Sequence, residues 1–378
     1  MQVPRRFERA IRVTRPIVPP LTQYVNLLEG VWRRGWLTND GALVLELRRR
    51  LSEHLDAPHL ALLGNGTLAL QMAIAALGLR REVITPAFTF PATPHALSWA
   101  GITPVFADID PVRLTLDPTA VERAITPRTT GILAVHVYGV PCDVERLAAV
   151  ALRHGLRLVY DGAHSFDTRI GGVPVGSFGD ATMLSFHATK LFHSAEGGAL
   201  IVQDEAVLRQ VELLRNFGIA EAGGIVAPGI NAKMNELEAA MGLLVLDRVA
   251  AEHAARDAVI AVYRRRFAGV AGLRMLDLPP DVSDSHQYAV LLVNESEAGL
   301  SRDALCEGLM AFNVFARRYF FPLCSEAPHY RDLPSAALAN LPVSFSMSQR
   351  VLCLPYYGEL GADGAEQVAD AVLYLLRR

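Results

Sequence analysis

The sequence predicts an α/β protein in which a large domain with a mostly parallel sheet is followed by a smaller α+β domain. Two observations indicate this class. Short apolar runs alternate with helical patterns over residues 59–202, which is typical of parallel strands joined by helical crossovers. After residue 232 long helical patterns dominate, which indicates a second unit. We place the domains at 1–245, including the N-terminal segment, and 246–378.

The predicted elements follow from the spacing of apolar residues. In the large domain the strands are His59–Leu63, Glu82–Ile84, Pro104–Ala107, Thr130–Val135, Leu156–Tyr160, Ala181–Ser185 and Ala199–Val202. The helices between them are Thr67–Leu77, Pro91–Ala100, Pro118–Ala124 and Val144–His154. The C-terminal elements are one or two long helices over Asn235–Phe267, a strand at Tyr288–Val293, and helices at Arg302–Phe312 and Ala362–Leu376.

Composition argues against several classes of protein. The 378 residues carry 36 Lys and Arg and 39 Asp and Glu, and this balance gives no electrostatic case for nucleic acid or an anionic membrane. No CxxC pair occurs among Cys142, Cys306, Cys324 and Cys353, so we expect neither a metal site nor disulfides. Free thiols fit a reducing cytosol, and the basic N-terminus lacks an apolar signal segment. We therefore expect a cytoplasmic protein.

Two candidate reactive residues follow predicted strands, and ligands of open α/β sheets bind at the carboxyl ends of strands. Asp161 ends the apolar run V-Y-D, where a helix N-cap is an equally good interpretation. Lys190 comes shortly after the strand ending at Ser185. Most lysines are solvated surface charges. A desolvated lysine, however, loses affinity for its proton, and its free amine can attack a carbonyl.

Two further segments lie at predicted strand ends. The turn G-N-G-T (64–67) precedes a helix whose backbone N–H groups could face an anion, although an ordinary turn is the commoner meaning. Phe90 could lie flat on a heteroaromatic ring or belong to the core. An anion cradle, an aromatic face, a carboxylate and an amine together suit pyridoxal 5′-phosphate, through its phosphate, ring, ring nitrogen and aldehyde.

Given these segments, the sequence resembles the sugar aminotransferases of the DegT/DnrJ/EryC1/StrS family, which have the aspartate-aminotransferase-like fold (PLP fold type I). The resemblance covers nearly the whole chain, with the motifs in family order. They are N-G-T-L-A-L (65–70), P-A-F-T-F-P-A-T (86–93), P-V-F-A-D-I-D-P (104–111), H-V-Y-G (136–139), D-G-A-H (161–164), G-S-F-G-D (176–180), S-F-H-A-T-K (185–190), E-G-G-A (196–199) and G-I-N-A-K-M-N-E-L (229–237).

The resemblance implies three roles around the reactive end and ring of the cofactor. Lys190 matches the lysine that carries pyridoxal phosphate as a Schiff base and moves the proton during transfer. Asp161 matches the partner of the pyridine nitrogen. Phe90 matches the aromatic residue that stacks on the ring.

The remaining implied roles concern the phosphate and the ring edge. Gly66, Thr67 and Ser185 match the phosphate cradle. His164 takes a place near the ring and its phenolic oxygen. Asn231 matches a residue that reaches the phosphate of the neighbouring subunit, which implies a homodimer with shared active sites.

Two positions depart from the family pattern. Gly162 replaces the usual Ala, and we expect the missing methyl to loosen the site slightly. Lys233 stands where the family usually has Arg. Neither change removes a group that the reaction needs. A related dehydratase branch carries His in place of the lysine, so Lys190 favours amino transfer.

The segment F-A-R-R-Y-F-F-P-L (315–323) resembles the subgroup acting on dTDP-linked 6-deoxy keto sugars, so Arg317, Arg318 and Tyr319 are candidate substrate-binding residues. An arginine pair suits a diphosphate, and a solvated surface pair is the alternative. Further similarity is to enzymes that make dTDP-4-amino-4,6-dideoxyglucose. The implied activity is transfer of an amino group from L-glutamate to a dTDP-linked 4-keto-6-deoxy sugar. Amination at C3 stays open, and a PLP-binding regulator without turnover is less favoured.

Overall fold

The structure is a computed structural model that describes residues 3–220 and 222–377. Its helices are α1 (Leu21–Arg34), α2 (Ala42–His54), α3 (Gly66–Ala76), α4 (Ala92–Trp99), α5 (Pro118–Ala124), α6 (Val144–His154), α7 (Glu205–Leu214), α8 (Glu236–Leu246), α9 (Val249–Phe267), α10 (Glu295–Ala298), α11 (Arg302–Met310), α12 (Pro342–Ser348) and α13 (Gly361–Leu375).

The strands are short, as expected for a sheet joined by helical crossovers. They are β1 (Ile11–Arg12), β2 (Leu60–Leu63), β3 (Glu82–Pro86), β4 (Thr103–Ala107), β5 (Thr129–Val135), β6 (Arg157–Asp161), β7 (Arg169–Ile170), β8 (Val173–Pro174), β9 (Ala181–Ser185), β10 (Gly198–Val202), β11 (Leu273–Met275), β12 (Ala289–Val293), β13 (Val314–Phe315) and β14 (Val351–Leu354).

The large sheet has seven strands in the order β2-β10-β9-β6-β5-β3-β4. Neighbouring strands from β9 to β4 pair in parallel, and β10 is antiparallel to both of its neighbours. This confirms the predicted α/β class with a mostly parallel sheet. The seven predicted strands match the seven observed strands to within two residues at each end. Helices bury their apolar faces on both sides of the sheet.

The C-terminal part forms a smaller α+β unit around a second apolar core. Strands β11, β12 and β14 make an antiparallel sheet, and α9, α11 and α13 pack against it. The predicted helical stretch over residues 235–267 is two helices, α8 and α9, separated at Asp247 and Arg248. Helix α8 packs on α2 of the large unit, and α8 ends at Leu246. A domain boundary near residue 245 remains our proposal.

The N-terminal segment lies in a different place from the one we assigned to it. Strand β1 pairs in parallel with β13, and Phe7 packs on the C-terminal core. The amide of Tyr356 also donates to the carbonyl of Val13 (2.9 Å). Backbone pairing thus attaches residues 7–13 to the smaller unit, although they precede the large sheet in sequence.

The carboxyl ends of β3, β5, β6 and β9 meet at one edge of the large sheet. Asp161 is the last residue of β6, and Ser185 is the last residue of β9. Parallel pairing places Asp161 beside Met183, two residues before that end. Within the described ranges, no helix is long and apolar enough to span a bilayer, and no cluster of His, Cys, Asp and Glu suits a metal ion.

Candidate active site

A cavity of about 680 Å³ opens where the carboxyl ends of β6 and β9 face the smaller unit. Most residues predicted for the site line this cavity. They are Gly66, Thr67, Phe90, Asp161, His164, Ser185, Lys190, Arg317 and Tyr319. The volume is in the range of sites that bind cofactors and drug-sized ligands.

Asp161 is buried at the floor of the cavity, with 4% of its surface exposed. Its Oδ2 accepts a hydrogen bond from the hydroxyl of Thr93 (2.7 Å), and its Oδ1 accepts from the amide of Ala163 (3.0 Å). Burial raises the pKa of the carboxyl, and the hydrogen bonds and the charge of Lys190 oppose that rise. No helix begins after Asp161, so the N-cap interpretation is wrong, and its contact with Ala163 is a local turn.

Lys190 lies in the loop after β9, half-buried in the cavity wall. Desolvation lowers the pKa of its amine to about 8, against the opposing influence of Asp161. At pH 7 about one-tenth of this amine is therefore uncharged and nucleophilic. The interpretation of Lys190 as a solvated surface charge is wrong.

The turn before α3 forms a cradle suited to an anion. Asn65 caps the helix, because its side chain accepts from the amide of Leu68 (2.8 Å). Gly66 is closely packed, since a Cβ would lie 3.0 Å from Sδ of Met183 and 3.1 Å from Cβ of Ser185, and both neighbours would have to give way. The N-terminal amides of α3 and the hydroxyls of Thr67 and Ser185 thus converge on one side of the cavity.

Two phenylalanines of the P-A-F-T-F motif have different surroundings. Phe88 is fully buried among apolar side chains, whereas Phe90 is 54% exposed and lines the cavity. An aromatic ring left half-exposed at a cavity wall has a face available to a flat ligand. The interpretation of Phe90 as plain core is therefore wrong.

His164 completes the floor of the cavity. Its Nδ1 accepts a hydrogen bond from the amide of Tyr138 (3.2 Å), which leaves the ring proton on Nε2. Burial holds the pKa of the imidazole well below its usual value, so the ring is neutral. The ring of Tyr288 packs edge-on at 4.9 Å, and the ring of Phe320 lies stacked at 6.1 Å.

The sequence model of the DegT/DnrJ/EryC1/StrS aminotransferase family matches residues 22–373. The chain belongs to this family. Pyridoxal 5′-phosphate is the family's cofactor, which confirms the cofactor expected from the sequence. The resemblance stated from the motifs is confirmed as well.

Named relatives match most of the length of the aminotransferase. The dTDP-4-amino-4,6-dideoxy-D-glucose transaminase of Escherichia coli is 37% identical over 371 residues, with 97% of this chain and 99% of the relative covered. The GDP-perosamine synthase of Caulobacter vibrioides is 32% identical over 300 residues, covering 78% and 80%. A crystal structure of DesI in the presence of its TDP-sugar product superposes with a TM-score of 0.94 at 40% identity, covering 99% and 95%.

Only one arginine of the predicted pair in the smaller unit of the aminotransferase lines the cavity. Arg317 lines the cavity and donates to the hydroxyl of Tyr319 (2.7 Å). Arg318 is outside the cavity lining, pairs with Asp303 (3.1 Å) and lies over the ring of Phe321. Only Arg317 of the predicted pair thus lines the cavity, because consecutive residues of an extended segment point in opposite directions. Contact of either arginine with the substrate stays a prediction.

Asn231 lies outside the cavity of its own subunit. It is exposed, and its backbone pairs with Asn216 in the segment that follows α7. Lys233 donates to Oδ1 of Asn216 (2.6 Å) and lies over the ring of Phe217. The predicted role of Asn231 at the phosphate of a neighbouring subunit stays a prediction.

Gly162 does not loosen the aminotransferase site, contrary to our expectation. A Cβ at this position would lie 2.7 Å from Oγ of Ser165, 2.8 Å from the carbonyl oxygen of Met183 and 3.0 Å from Cγ2 of Thr182. The neighbours already fill the space that a methyl would occupy, so glycine is the residue that fits.

The structure also reveals site residues that sequence reasoning missed. Thr93 holds the carboxylate of Asp161, and its only sequence signal is its place at the end of the P-A-F-T-F-P-A-T motif. Tyr288 and Phe320 come from the smaller unit, more than 90 residues beyond Lys190. Tyr288 lies outside the quoted motifs, whereas Phe320 belongs to the segment 315–323 and could have been found there. Only the folding of one unit onto the other brings both residues to the cavity.

Proposed function

We propose that this aminotransferase moves an amino group from L-glutamate to C4 of a dTDP-linked 4-keto-6-deoxy sugar, giving dTDP-4-amino-4,6-dideoxyglucose. The observation that carries the proposal is one cavity with a desolvated lysine beside a buried carboxylate and an arginine at its smaller-unit wall. The names of the E. coli relative and of the DesI complex support the nucleotide and the sugar.

The residues present fit pyridoxal phosphate. The N-terminus of α3 with Gly66, Thr67 and Ser185 would hold the phosphate, since all three residues line the cavity and helix N-termini favour anions. Asp161 would accept a hydrogen bond from the protonated ring nitrogen, and Phe90 would cover the ring. When bound, the cofactor supplies an electron-accepting ring and an aldehyde that carries the amino group between the two substrates.

Lys190 has two tasks in this proposal. Its neutral amine would hold the aldehyde carbon covalently between turnovers, and desolvation makes the neutral form available. Once free, the same Nζ takes a proton from Cα of glutamate and delivers a proton to C4 of the sugar in the second half. The overall exchange balances, because the glutamate nitrogen ends on the sugar, water supplies the new oxygen of 2-oxoglutarate, and the ketone oxygen of the sugar leaves as water.

Asp161 and His164 would hold the protonation and hydrogen bonding of the cofactor ring. A carboxylate next to the ring nitrogen keeps that nitrogen protonated, which strengthens the ring as an electron acceptor. His164, neutral with its proton on Nε2, is a donor suited to the phenolic oxygen. Thr93 keeps Asp161 oriented through the 2.7 Å hydrogen bond.

Arg317 is the charged group proposed for the diphosphate of the sugar nucleotide. Within the described residues it lies near the ring of Tyr319 and pairs with no carboxylate. A guanidinium presents several donors to a phosphate in fixed geometry. Tyr319, held by Arg317, would line the sugar side of the same wall.

The proposed substrate is tested by product analysis with L-glutamate and purified dTDP-4-keto-6-deoxyglucose, dTDP-3-keto-6-deoxyglucose and the GDP-linked 4-keto analogue. We expect amination of the first at C4, identified by mass spectrometry and by NMR of the sugar ring. Lys190→Ala should abolish turnover, and turnover by the purified variant would exclude Lys190 as the reactive amine. Preferential turnover of the 3-keto sugar would establish the C3 alternative.

We also propose a cytoplasmic homodimer in which Asn231 of one subunit serves the site of the other. The four cysteines are unpaired, which suits a reducing compartment. The exposed position of Asn231 outside its own cavity motivates the shared site. Mixing inactive Lys190→Ala and Asn231→Ala chains should then restore one intact site in each mixed dimer, or about a quarter of wild-type activity. No restoration despite mixed dimers would contradict sharing.

A further inference from the structure

The carboxamide of Gln287 holds the backbone on both sides of Lys190. Its Oε1 accepts from the amide of Leu191 (3.0 Å), and its Nε2 donates to the carbonyl of Thr189 (3.1 Å). A carboxamide offers one acceptor and one donor side, so both bonds form together only while the loop keeps one conformation. Gln287 thereby fixes both neighbours of the lysine and leaves the lysine side chain unobstructed.

Gln287 is itself anchored in the smaller unit. It is 3% exposed and lies two residues before β12. The carbonyl of His286 accepts from Nη1 of Arg256 (2.6 Å), and the ring of His286 bonds to Asp257 (2.8 Å). Both partners belong to α9. The smaller unit therefore reaches the lysine loop through two consecutive, well-held residues.

We propose that Gln287 is a positioning residue of the transamination, which holds Thr189 and Leu191 so that Nζ of Lys190 stays in the cavity beside Asp161. This inference rests on the proposed role of Lys190. Its physical consequence concerns solvation. If the loop relaxes, the amine gains water and its pKa rises from about 8 toward the ordinary value of 10.5.

The chain offers an unusually direct readout, because Lys190 and Lys233 are its only lysines. Lys233 donates to Asn216 and lies outside the cavity, so it serves as an internal reference. The full-length protein freed of cofactor is mixed with pyridoxal phosphate at a series of pH values. The bond to lysine is trapped with borohydride, and peptide mass spectrometry measures the attachment at each lysine.

Two substitutions test the carboxamide. Gln287→Met keeps a similar length and loses both hydrogen bonds, whereas Gln287→Glu keeps an acceptor for Leu191 and places an oxygen against the carbonyl of Thr189. The matched control is Gln203→Met, which removes a single bond to the carbonyl of Gly176 (2.7 Å) far from the lysine loop. Thermal unfolding of every variant is recorded alongside. If the methionine variant does not fold, Gln287→Leu decides, because it is also uncharged, whereas the charge of the glutamate variant would by itself raise the pKa of Lys190.

We expect both Gln287 variants to shift the pH midpoint of attachment at Lys190 upward by about one unit, which slows attachment near pH 7 about tenfold. Attachment at Lys233 and the Gln203→Met control should keep wild-type behaviour. Transamination should show a lower kcat with little change in KM for the sugar. A wild-type midpoint in the uncharged Gln287 variant would overturn the inference, whatever its stability. Absence of attachment at Lys190 in the wild type would instead refute the proposed function.

Discussion

Replacing Asp161 by Asn should have opposite effects on the reactivity of Lys190 and on catalysis. The two side chains are nearly isosteric, and only one charge disappears. In the wild type, the carboxylate raises the pKa of Lys190, while burial lowers it to about 8. Without the carboxylate, only the lowering influence remains, so the pKa of Lys190 falls below about 8. The amine is then more often neutral at pH 7.

The magnitude follows from the fraction of neutral amine. At pH 7 a lysine with a pKa of about 8 is roughly one-tenth neutral, about 300 times more than one at the ordinary 10.5. Asp161→Asn can therefore increase the neutral fraction by at most about tenfold. Transamination should fall, because the ring nitrogen loses its carboxylate. Losing a charge-assisted hydrogen bond costs about 1.5–3 kcal/mol, which corresponds to a roughly 10- to 100-fold lower kcat.

Competitive acetylation across pH measures the first effect, with Lys233 as the internal reference. The pH midpoint of Lys190 acetylation in the cofactor-free variant should move down, whereas kcat of the reconstituted variant should fall. A midpoint that moves up would show that the carboxylate does not face the amine. An unchanged kcat would show that Asp161 does not partner the ring nitrogen.

Other substitutions test the remaining parts of the site. Gly162→Ala should lower the free energy of unfolding by about 1–3 kcal/mol in urea titrations, because its Cβ meets Ser165 and two further neighbours within 3.0 Å. Adding Ser165→Ala in the same chain should recover part of the loss. Equal stability of Gly162→Ala and wild type would contradict the crowding. Thr93→Val should reduce kcat about tenfold with native-like thermal unfolding, since it removes the hydrogen bond to the Asp161 carboxylate. Arg317→Ala should raise KM for the sugar nucleotide at least about tenfold. Arg318→Ala is the matched control and should change this KM less than twofold. Equal effects would place both arginines at the substrate.

Local sequence patterns predicted much of the secondary structure of the large unit. Apolar runs bounded by polar turns identified all seven strands of the sheet, since a buried parallel strand must be apolar on both faces. The same logic placed Asp161 and the loop of Lys190 at strand ends, and strand ends of a parallel sheet meet at one edge. The motifs around these residues also predicted the family, which the family comparison confirms.

The orientation of single side chains was beyond this reasoning. Arg317 and Arg318 are adjacent and chemically identical, and only their backbone directions decide which one enters the cavity. The missing methyl of Gly162 predicts looser packing, whereas Ser165 and Thr182 occupy that volume in the structure. Packing of this kind depends on atoms that come together only in the folded chain.

The sequence by itself determined the parallel sheet, the positions of Lys190 and Asp161 at its edge, and the family with its cofactor. These features rest on periodicity and short motifs, which are local. Tertiary structure alone decided the closure of the cavity by Tyr288, the entry of Arg317 and the hold of Gln287 on the lysine loop. Those contacts join residues about 100 positions apart, and no local pattern specifies them, because they arise only when the smaller unit packs onto the sheet.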